Sequence, residues 1–464
     1  MLGKKDVNML AGSILKGLLI IAIPVMVMNI VQSLFNIIDM TILSKAKAGG
    51  DTEVGAIGTC GVVISLITSL VTGVASGASV VVARYIGKKD EEGVKKAVGT
   101  SMVFSVLGGL VLLVIGVCFA EVFLGWINCN PSQLRSAALY FRLYFIGTPI
   151  LMVYNYCAAL LRSTGDSLRP MIYLTISGVV KVGLNFLFVL VFRMQVVGVA
   201  LATIISWLVA AILGVFTLIK NNSAVKIYRK YLKIYKKELK EMLYLGLPAG
   251  MQAALYSVAN IIITATVNSF GPDAQTGVSI ANTFDGILYQ IATAPALAVM
   301  PYVSQNSSAG NIKRARRSVI IGTLITIALG ASFGAMSAIF SGPLSSIMTD
   351  NPNVIKFSQQ KMIIVSSTYF ICGINEILGA AMRGLRKPIV AMVCTLIFMC
   401  GIRFIWVYLV FPLFPTDHAL TYLYLIWPIG WVLSILTLLC FYFPTVNRLK
   451  RKTQINQKIQ QENV

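Results

Sequence analysis

The sequence predicts an all-α polytopic membrane protein, with twelve transmembrane helices in two pseudosymmetric six-helix bundles. Three observations carry that prediction. Of the 464 residues, 57% are hydrophobic and only 12% charged, with a mean hydropathy of +0.80. Long apolar runs, each near the about 20 residues that cross a bilayer, are separated by short polar islands. The 39 Lys and Arg, against 17 Asp and Glu for a net charge of +22, concentrate in alternate islands. Soluble domains would carry about 25% charged residues, and a chain this apolar is not disordered. A nucleic-acid binder would display its cations on folded polar surfaces, so no nucleic-acid partner is expected.

Cutting at the islands gives spans at 14–43, 54–82, 94–118, 136–160, 168–192, 196–219, 241–268, 277–303, 318–341, 354–382, 388–411 and 419–445. Lys4, Lys5 and Lys16 precede the first. It is too long for a signal-peptide core and has no small-residue cleavage pattern, so it reads as retained. One set of islands holds Arg84, Lys88, Lys89, Lys95, Lys96, Arg162, Arg169, the segment Lys220 to Lys240, Lys313 to Arg317, Arg383, Arg386, Lys387 and the basic C-terminus. The other holds only Lys45, Lys47, Arg135, Arg193, Lys356 and Lys361. The excess marks the cytoplasmic side, which puts both termini in the cytoplasm; the location expected is the plasma membrane.

The eight cysteines include no CxxC pair. Seven lie in apolar runs, where they read as small hydrophobes, and Cys129 lies in a loop. The single histidine, His418, leaves no basis for His catalysis or a metal site, and no cofactor is expected. Trp126, Trp406 and Trp427 read as membrane-interface anchors. Between the halves, Ile227, Tyr228, Tyr231, Leu232, Tyr235 and Leu239 recur at helical spacing among lysines. That predicts a basic interfacial helix over 220–240, lying on the anionic inner leaflet.

The halves repeat at an offset of about 220 residues. Aligning Pro24 with Pro248 brings Ser33 onto Ser257 and Asn36 onto Asn260. EGVKKA from Glu92 then matches GNIKRA from Gly310, NFLFVL from Asn185 matches RFIWVYL from Arg403, and ISW from Ile205 matches IGW from Ile429. The expected organisation is an N-terminal lobe over 1–219, the basic connection over 220–240, a C-terminal lobe over 241–447 and a basic tail over 448–464. Parallel repeats that rock about a central cleft are a transporter plan. Pro24 and Pro248 interrupt helical hydrogen bonding inside spans, as bending points or fixed kinks. Gly73, Ser76, Gly77 and Ser79 form a small-residue face for close helix packing.

These features together resemble the multidrug and toxic compound extrusion (MATE) family. The resemblance is carried by QSLFNIIDMTIL from Gln32, GASVVVARYIG from Gly77 and LRSTGDSLRP from Leu161, and in the second half by LGLPAGMQ from Leu245, LAVMPYVSQN from Leu297 and GAAMRGLRKP from Gly379. It implies export of amphipathic, often cationic compounds against an inward proton or sodium flux, by a monomer. In one branch of the family, an aspartate at the position of Asp39 holds the coupling cation. Polar residues at the positions of Asn155, Lys181, Asn185 and Thr203 support it there.

Lys181 departs from the family pattern, which has a neutral or acidic residue there. A lysine would take the space and charge of a sodium ion and pair with Asp39, so proton coupling is favoured. A fixed structural pair is the alternative. The second half has its own intramembrane ionisable set in Asp285, Glu376 and Arg403, with Arg403 a candidate partner for Glu376. Glu376 aligns with Asn155 and Arg403 with Asn185, so equivalent positions differ in charge. The cleft is expected to involve Gln32, Phe35, Asn36, Met251, Tyr256 and Tyr289, with Gln252 and several methionines, since Met and aromatic faces accept varied apolar ligands and organic cations.

The function expected is therefore secondary multidrug efflux of amphipathic, drug-like small molecules by cation antiport with alternating access, with membrane lipid as the surrounding partner. The alternative is an exporter or flippase of an anionic or lipid-linked substrate, favoured if Lys181 and Arg403 face the cleft unpaired. An enzyme is not expected, since the chain has no phosphate-binding Gly-rich loop, no HExxH motif and no nucleotide-binding domain.

Overall fold

Apolar runs of this length leave the backbone no partner but itself, so each folds as a helix whose N–H and C=O groups pair internally. In the computed structural model, every regular element among the described residues is accordingly helical. The structure describes residues 7–45, 50–126, 131–220, 224–413 and 419–462. At 36–37, 39–41, 43–45, 50–59, 62, 126, 131–133, 257–258, 261, 419 and 456–462 the description covers the helix and not the side chain, so the Trp126 side chain lies outside it. Cys129 and His418 lie outside the described residues.

The helices run α1 Ile14–Lys45, α2 Gly50–Gly87, α3 Glu91–Cys118, α4 Ala120–Trp126, α5 Pro131–Ile146, α6 Thr148–Ser163, α7 Leu168–Asn185, α8 Gln195–Lys220 and α9 Lys236–Asn268. Then follow α10 Pro272–Ser308, α11 Ile312–Ile339, α12 Ser341–Ser346, α13 Pro352–Val365, α14 Tyr369–Gly384, α15 Pro388–Thr395, α16 Ile402–Ile405, α17 Ala419–Tyr424 and α18 Ile426–Glu462. Among the described residues, ten stretches are long and apolar enough to cross a membrane, or eleven if α5 and α6, bent by 47°, count as one. The remaining expected span, 241–268, lies inside α9.

Start signals sit where the sequence puts them. The Asp90 carboxylate accepts from the Gly93 N–H at 2.8 Å, and Glu91 and Glu92 lie in the first turn of α3 near its positive dipole end. Asn351 caps α13 ahead of Pro352, which needs no N–H partner at that position. Several spans are not uniform. Phe186–Val191, Leu396–Gly401 and Trp406–Val410 are π-helical, and Ser366–Thr368 is a 3₁₀ turn between α13 and α14.

The chain divides into two compact units. One comprises Met1–Val7 and Val27–Gly250, the other Asn8–Met26 and Met251–Val464. This differs from the boundaries at 219 and 240 expected from the sequence. The first half of α1 is grouped with the second unit, and the first half of α9 with the first. Both transfers occur two residues after the internal prolines, Pro24 and Pro248.

In the first unit, the core gathers Phe141, Phe145, Tyr144, Leu124 and Val196, with Phe141 and Phe145 ring centroids 4.6 Å apart. The small-residue face of α2 meets the start of α9 backbone to backbone. A Cβ at Gly77 would fall 2.8 Å from the Gly246 Cα, and one at Gly250 would fall 2.9 Å from the Leu70 Cα. The approach is locked by polar side chains: Arg84 pairs with Glu241, and the Tyr85 hydroxyl donates to Glu238 at 3.1 Å. In the second unit, Trp431, Tyr424, Leu423 and Ile263 anchor the core. Its N-terminal turn is held by Arg314, whose three nitrogens donate to the carbonyls of Met9, Ala11 and Gly12 at 2.7–2.9 Å.

The expected basic helix over 220–240 does not form. From Ala224 onward the described connection contains one 3₁₀ turn, Arg229–Tyr231, and α9 begins only at Lys236. The physical reason is tertiary. The Thr100 hydroxyl donates to the Lys233 carbonyl at 3.5 Å and accepts from the Tyr235 N–H at 3.2 Å, and the Tyr231 carbonyl lies where a Cβ at Gly99 would be. The segment satisfies part of its backbone against α3 and part through short-range bonds, the Tyr231, Leu232 and Lys233 N–H groups donating to the Tyr228, Arg229 and Tyr231 carbonyls.

Candidate transport site

The intramembrane ionisable residues of the second unit form three separate arrangements. Asp285, midway along α10, is 3.0 Å from the Lys361 ammonium of α13, and the Ser366 hydroxyl donates to its other oxygen at 3.0 Å. Lys361 also donates to the Asn282 side chain. Lys361 is 2% exposed, which overturns its sequence assignment to an outer polar island. A lysine with a buried carboxylate partner can sit inside a bundle, and counting charges by island does not reveal that.

Glu376, on α14, is 3.9 Å from Arg383, seven residues later on the same helix, and Arg383 donates to Gln252 on α9 at 3.0 Å. Two helical turns bring both side chains to one face. Arg383 therefore replaces Arg403 as the partner of Glu376.

Arg403, 1% exposed, lies in the short α16 between two π-helical stretches. It donates to Asn260 Oδ1 at 2.6 Å, with its guanidinium carbon 4.9 Å from the Tyr256 ring centroid and 5.3 Å from that of Trp427. Trp427 is buried and also lies 5.6 Å from the Lys361 ammonium, so it serves two cations and is not an interface anchor. Trp406 donates to the Tyr422 carbonyl at 3.2 Å. Tyr256 stacks on Tyr289, with centroids 6.4 Å apart and planes inclined by 23°. Met251 is exposed.

In the first unit, Asn155 donates to the Leu151 carbonyl at 2.9 Å and Thr203 to the Val199 carbonyl at 2.8 Å, each along its own helix. Lys181 is half-buried on α7, one turn before the fully buried Asn185, and the π-helical stretch starts at the next residue. Phe35 occupies the space that a Cβ at Gly178 would take, and Gln32 is exposed. The side chains of Asn36 and Asp39 lie outside the described residues. No group of three or more metal-type ligands occurs among the described residues. Cys60, Cys157, Cys372, Cys394 and Cys400 are buried, whereas Cys118 and Cys440 are exposed.

The sequence profile of the MatE family matches residues 24–187 and 248–409, one segment in each half. The chain belongs to the MATE family. Among its relatives is a probable multidrug resistance protein, YoeA, of Bacillus subtilis, 26% identical over 378 residues that cover 80% of this chain and 81% of that protein. A FAD transporter of Shewanella oneidensis is 22% identical over 335 residues, covering 71% of this chain and 74% of that protein. A structure described as an outward-facing multidrug resistance MATE family transporter of the MOP superfamily superposes with a TM-score of 0.88. It is 19% identical, with 97% of this chain and 100% of that chain covered. A MOP superfamily transporter from Pyrococcus furiosus, whose description reads reversed binding-pocket polarity as suggesting a different function, gives a TM-score of 0.87 at 19% identity, again covering 97% and 100%. The structural likeness establishes the twelve-helix MATE fold of this multi-pass membrane protein.

Within this MATE fold, the repeat equates Asn185 with Arg403, and each adjoins π-helical backbone. Such turns are rare and recur at functional sites. Sequence reasoning missed Lys361, Arg383, Asn260 and the Arg84–Glu241 pair. Glu376 and Arg383 share a helical face that spacing alone could have shown; Lys361 and Asn260 lie on helices remote in sequence from their partners.

Proposed function

We propose that this protein is a secondary active exporter of amphipathic, drug-like organic compounds, driven by an inward cation gradient with proton favoured over sodium. The names of its relatives support multidrug export. The observation that carries the ion preference is the buried contact of Lys361 with Asp285. A resident ammonium takes the space and charge that a sodium ion would need, whereas a proton requires no cavity. Protonating the carboxylate removes the charge that holds the lysine, and a buried pair is stable only while both charges remain.

The same logic extends to the first unit, where Asp39 and Lys181, supported by Asn155, Asn185 and Thr203, form the coupling site of this reading. The substrate site draws on the cleft residues Gln32, Phe35, Asn36, Met251, Tyr256 and Tyr289, exposed to the two sides of the membrane in turn. The chain acts as a monomer in the plasma membrane with both termini cytoplasmic, a topology supported by the Lys and Arg bias.

Two readings of substrate charge follow. A cationic compound suits Glu376, which is half-buried and whose pair with Arg383 is longer than that of Asp285 with Lys361, at 3.9 Å against 3.0 Å. An anionic compound suits Arg403, which has no carboxylate within 4.0 Å among the described residues.

Ethidium efflux from cells, with the pH and sodium gradients collapsed separately, tests the export reading. Efflux should stop when the pH gradient is removed and continue without sodium. Efflux that survives loss of both gradients contradicts the antiport assignment.

A further inference from the structure

We propose that Arg403, Asn260 and Tyr256 form a subsite for the acidic group of a ring-bearing organic anion, an aryl carboxylate or phosphate. The inference rests on the export reading and refines the class of compound exported. The other two cations of the buried network each have a carboxylate, Asp285 for Lys361 and Glu376 for Arg383. Arg403 is at least as buried as they are, yet among the described residues its partners are the Asn260 amide oxygen, the Tyr256 side chain and the Trp427 ring face, with no carboxylate. Removing a charge from water without a counter-charge costs several kcal/mol, and a ring face returns only about 0.5–2. The site is therefore short of one negative charge.

The geometry says where that charge would go. A guanidinium presents its N–H groups as a planar fork that fits carboxylate or phosphate oxygens. Nη1 is engaged by Asn260, while Nη2 is buried with no hydrogen-bond partner among the described residues. Because the Asn260 oxygen accepts from Arg403, its Nδ2 is left as a second donor beside the same fork. Tyr256 and Asn260 are only half-buried and lie one turn apart on α9, so this edge of the site is the accessible one. The stacked rings of Tyr256 and Tyr289 supply a flat apolar surface next to the charge, which favours an aromatic acid over a small inorganic anion. At the repeat-equivalent position Asn185 is neutral, so this guanidinium has no counterpart at that position in the first unit.

Flavin mononucleotide and riboflavin are suitable probes, since they share a ring system and differ by a phosphate. Binding to the purified full-length protein in detergent is read from flavin fluorescence anisotropy. Flavin mononucleotide should bind about tenfold more tightly or better. Arg403→Gln should bring the two affinities within about twofold, and Arg403→Lys should keep an intermediate preference.

Because Arg403 is buried, Asn260→Asp provides a second variant. Its carboxylate would neutralise the guanidinium in place, and the preference should vanish as in Arg403→Gln. Wild-type protein that binds neither flavin, or both equally, overturns the subsite. So does a preference retained in Asn260→Asp or in folded Arg403→Gln. Ethidium transport under a pH gradient is measured on the same wild-type preparation. Its failure strikes the export reading, whereas lost flavin discrimination with transport intact strikes only the subsite.

Discussion

The two units carry the same helical repeat with different charge at equivalent places. Where the first has Asn155 and Asn185, the second has Glu376 and Arg403. Asn155 is satisfied within its own helix, whereas the charged residues of the second unit reach across helices, to Gln252 and Asn260 on α9 and between α10 and α13. Neutral side chains can be buried on the local backbone; charged ones require partners from elsewhere, which ties their helices together. In the second unit these charged ties between helices add to the aromatic core and to close backbone approaches such as that of Gly334 to the Ser366 carbonyl. The described part of the first is held by close backbone packing of α2 on α9 and by the Arg84–Glu241 pair at its end.

The largest effect should come from breaking a deep pair. Asp285→Asn leaves Lys361 buried without its carboxylate and should cost about 3–5 kcal/mol, read as a large fall in thermal midpoint in detergent. The double variant Asp285→Asn with Lys361→Met should recover most of that loss. If the single variant unfolds like wild type, the electrostatic account of the second unit fails.

The packing account of the first unit predicts a smaller penalty. Gly246→Val forces a side chain into the Val74 backbone, 2.6 Å from where its Cβ would stand, and should cost about 1–3 kcal/mol. Smaller again is Thr100→Val, which removes the hydroxyl that organises the connection between the halves. A loss of about 1 kcal/mol is expected, with faster proteolysis between Ala224 and Tyr235 as an independent readout. At the bottom of the scale, Glu92→Gln removes an exposed pair with Lys96, 2.8 Å apart, and should leave the midpoint unchanged.

The membrane class, the repeat and the polar residues at depth were legible because each depends on local composition or on order along the chain. Asp285, Glu376 and Arg403 stood out as ionisable residues in apolar runs. Partners on other helices did not, since such pairing depends on helix rotation, and the π-helical turns around Arg403 shift that rotation in ways a regular period cannot anticipate. Lys361 and Arg383 were hidden by a rule that assigns basic residues to loops. The 220–240 segment shows the opposite failure. Its apolar period is helical, but Thr100 and Gly99 on α3 supply partners and space for an irregular path.

We propose a division of labour in which Asp39 and Lys181 of the first unit carry the coupling step, while in the second the Asp285–Lys361 pair excludes sodium and Glu376 meets the charge of a cationic substrate. The most direct test is transport of ethidium into inverted proteoliposomes under an imposed pH gradient, comparing Asp39→Asn with Glu376→Gln. The account predicts that Asp39→Asn abolishes gradient-driven uptake while ethidium still binds. Glu376→Gln should keep the gradient dependence and raise the KM. Wild-type uptake by Asp39→Asn, or loss of gradient dependence in Glu376→Gln alone, would contradict it.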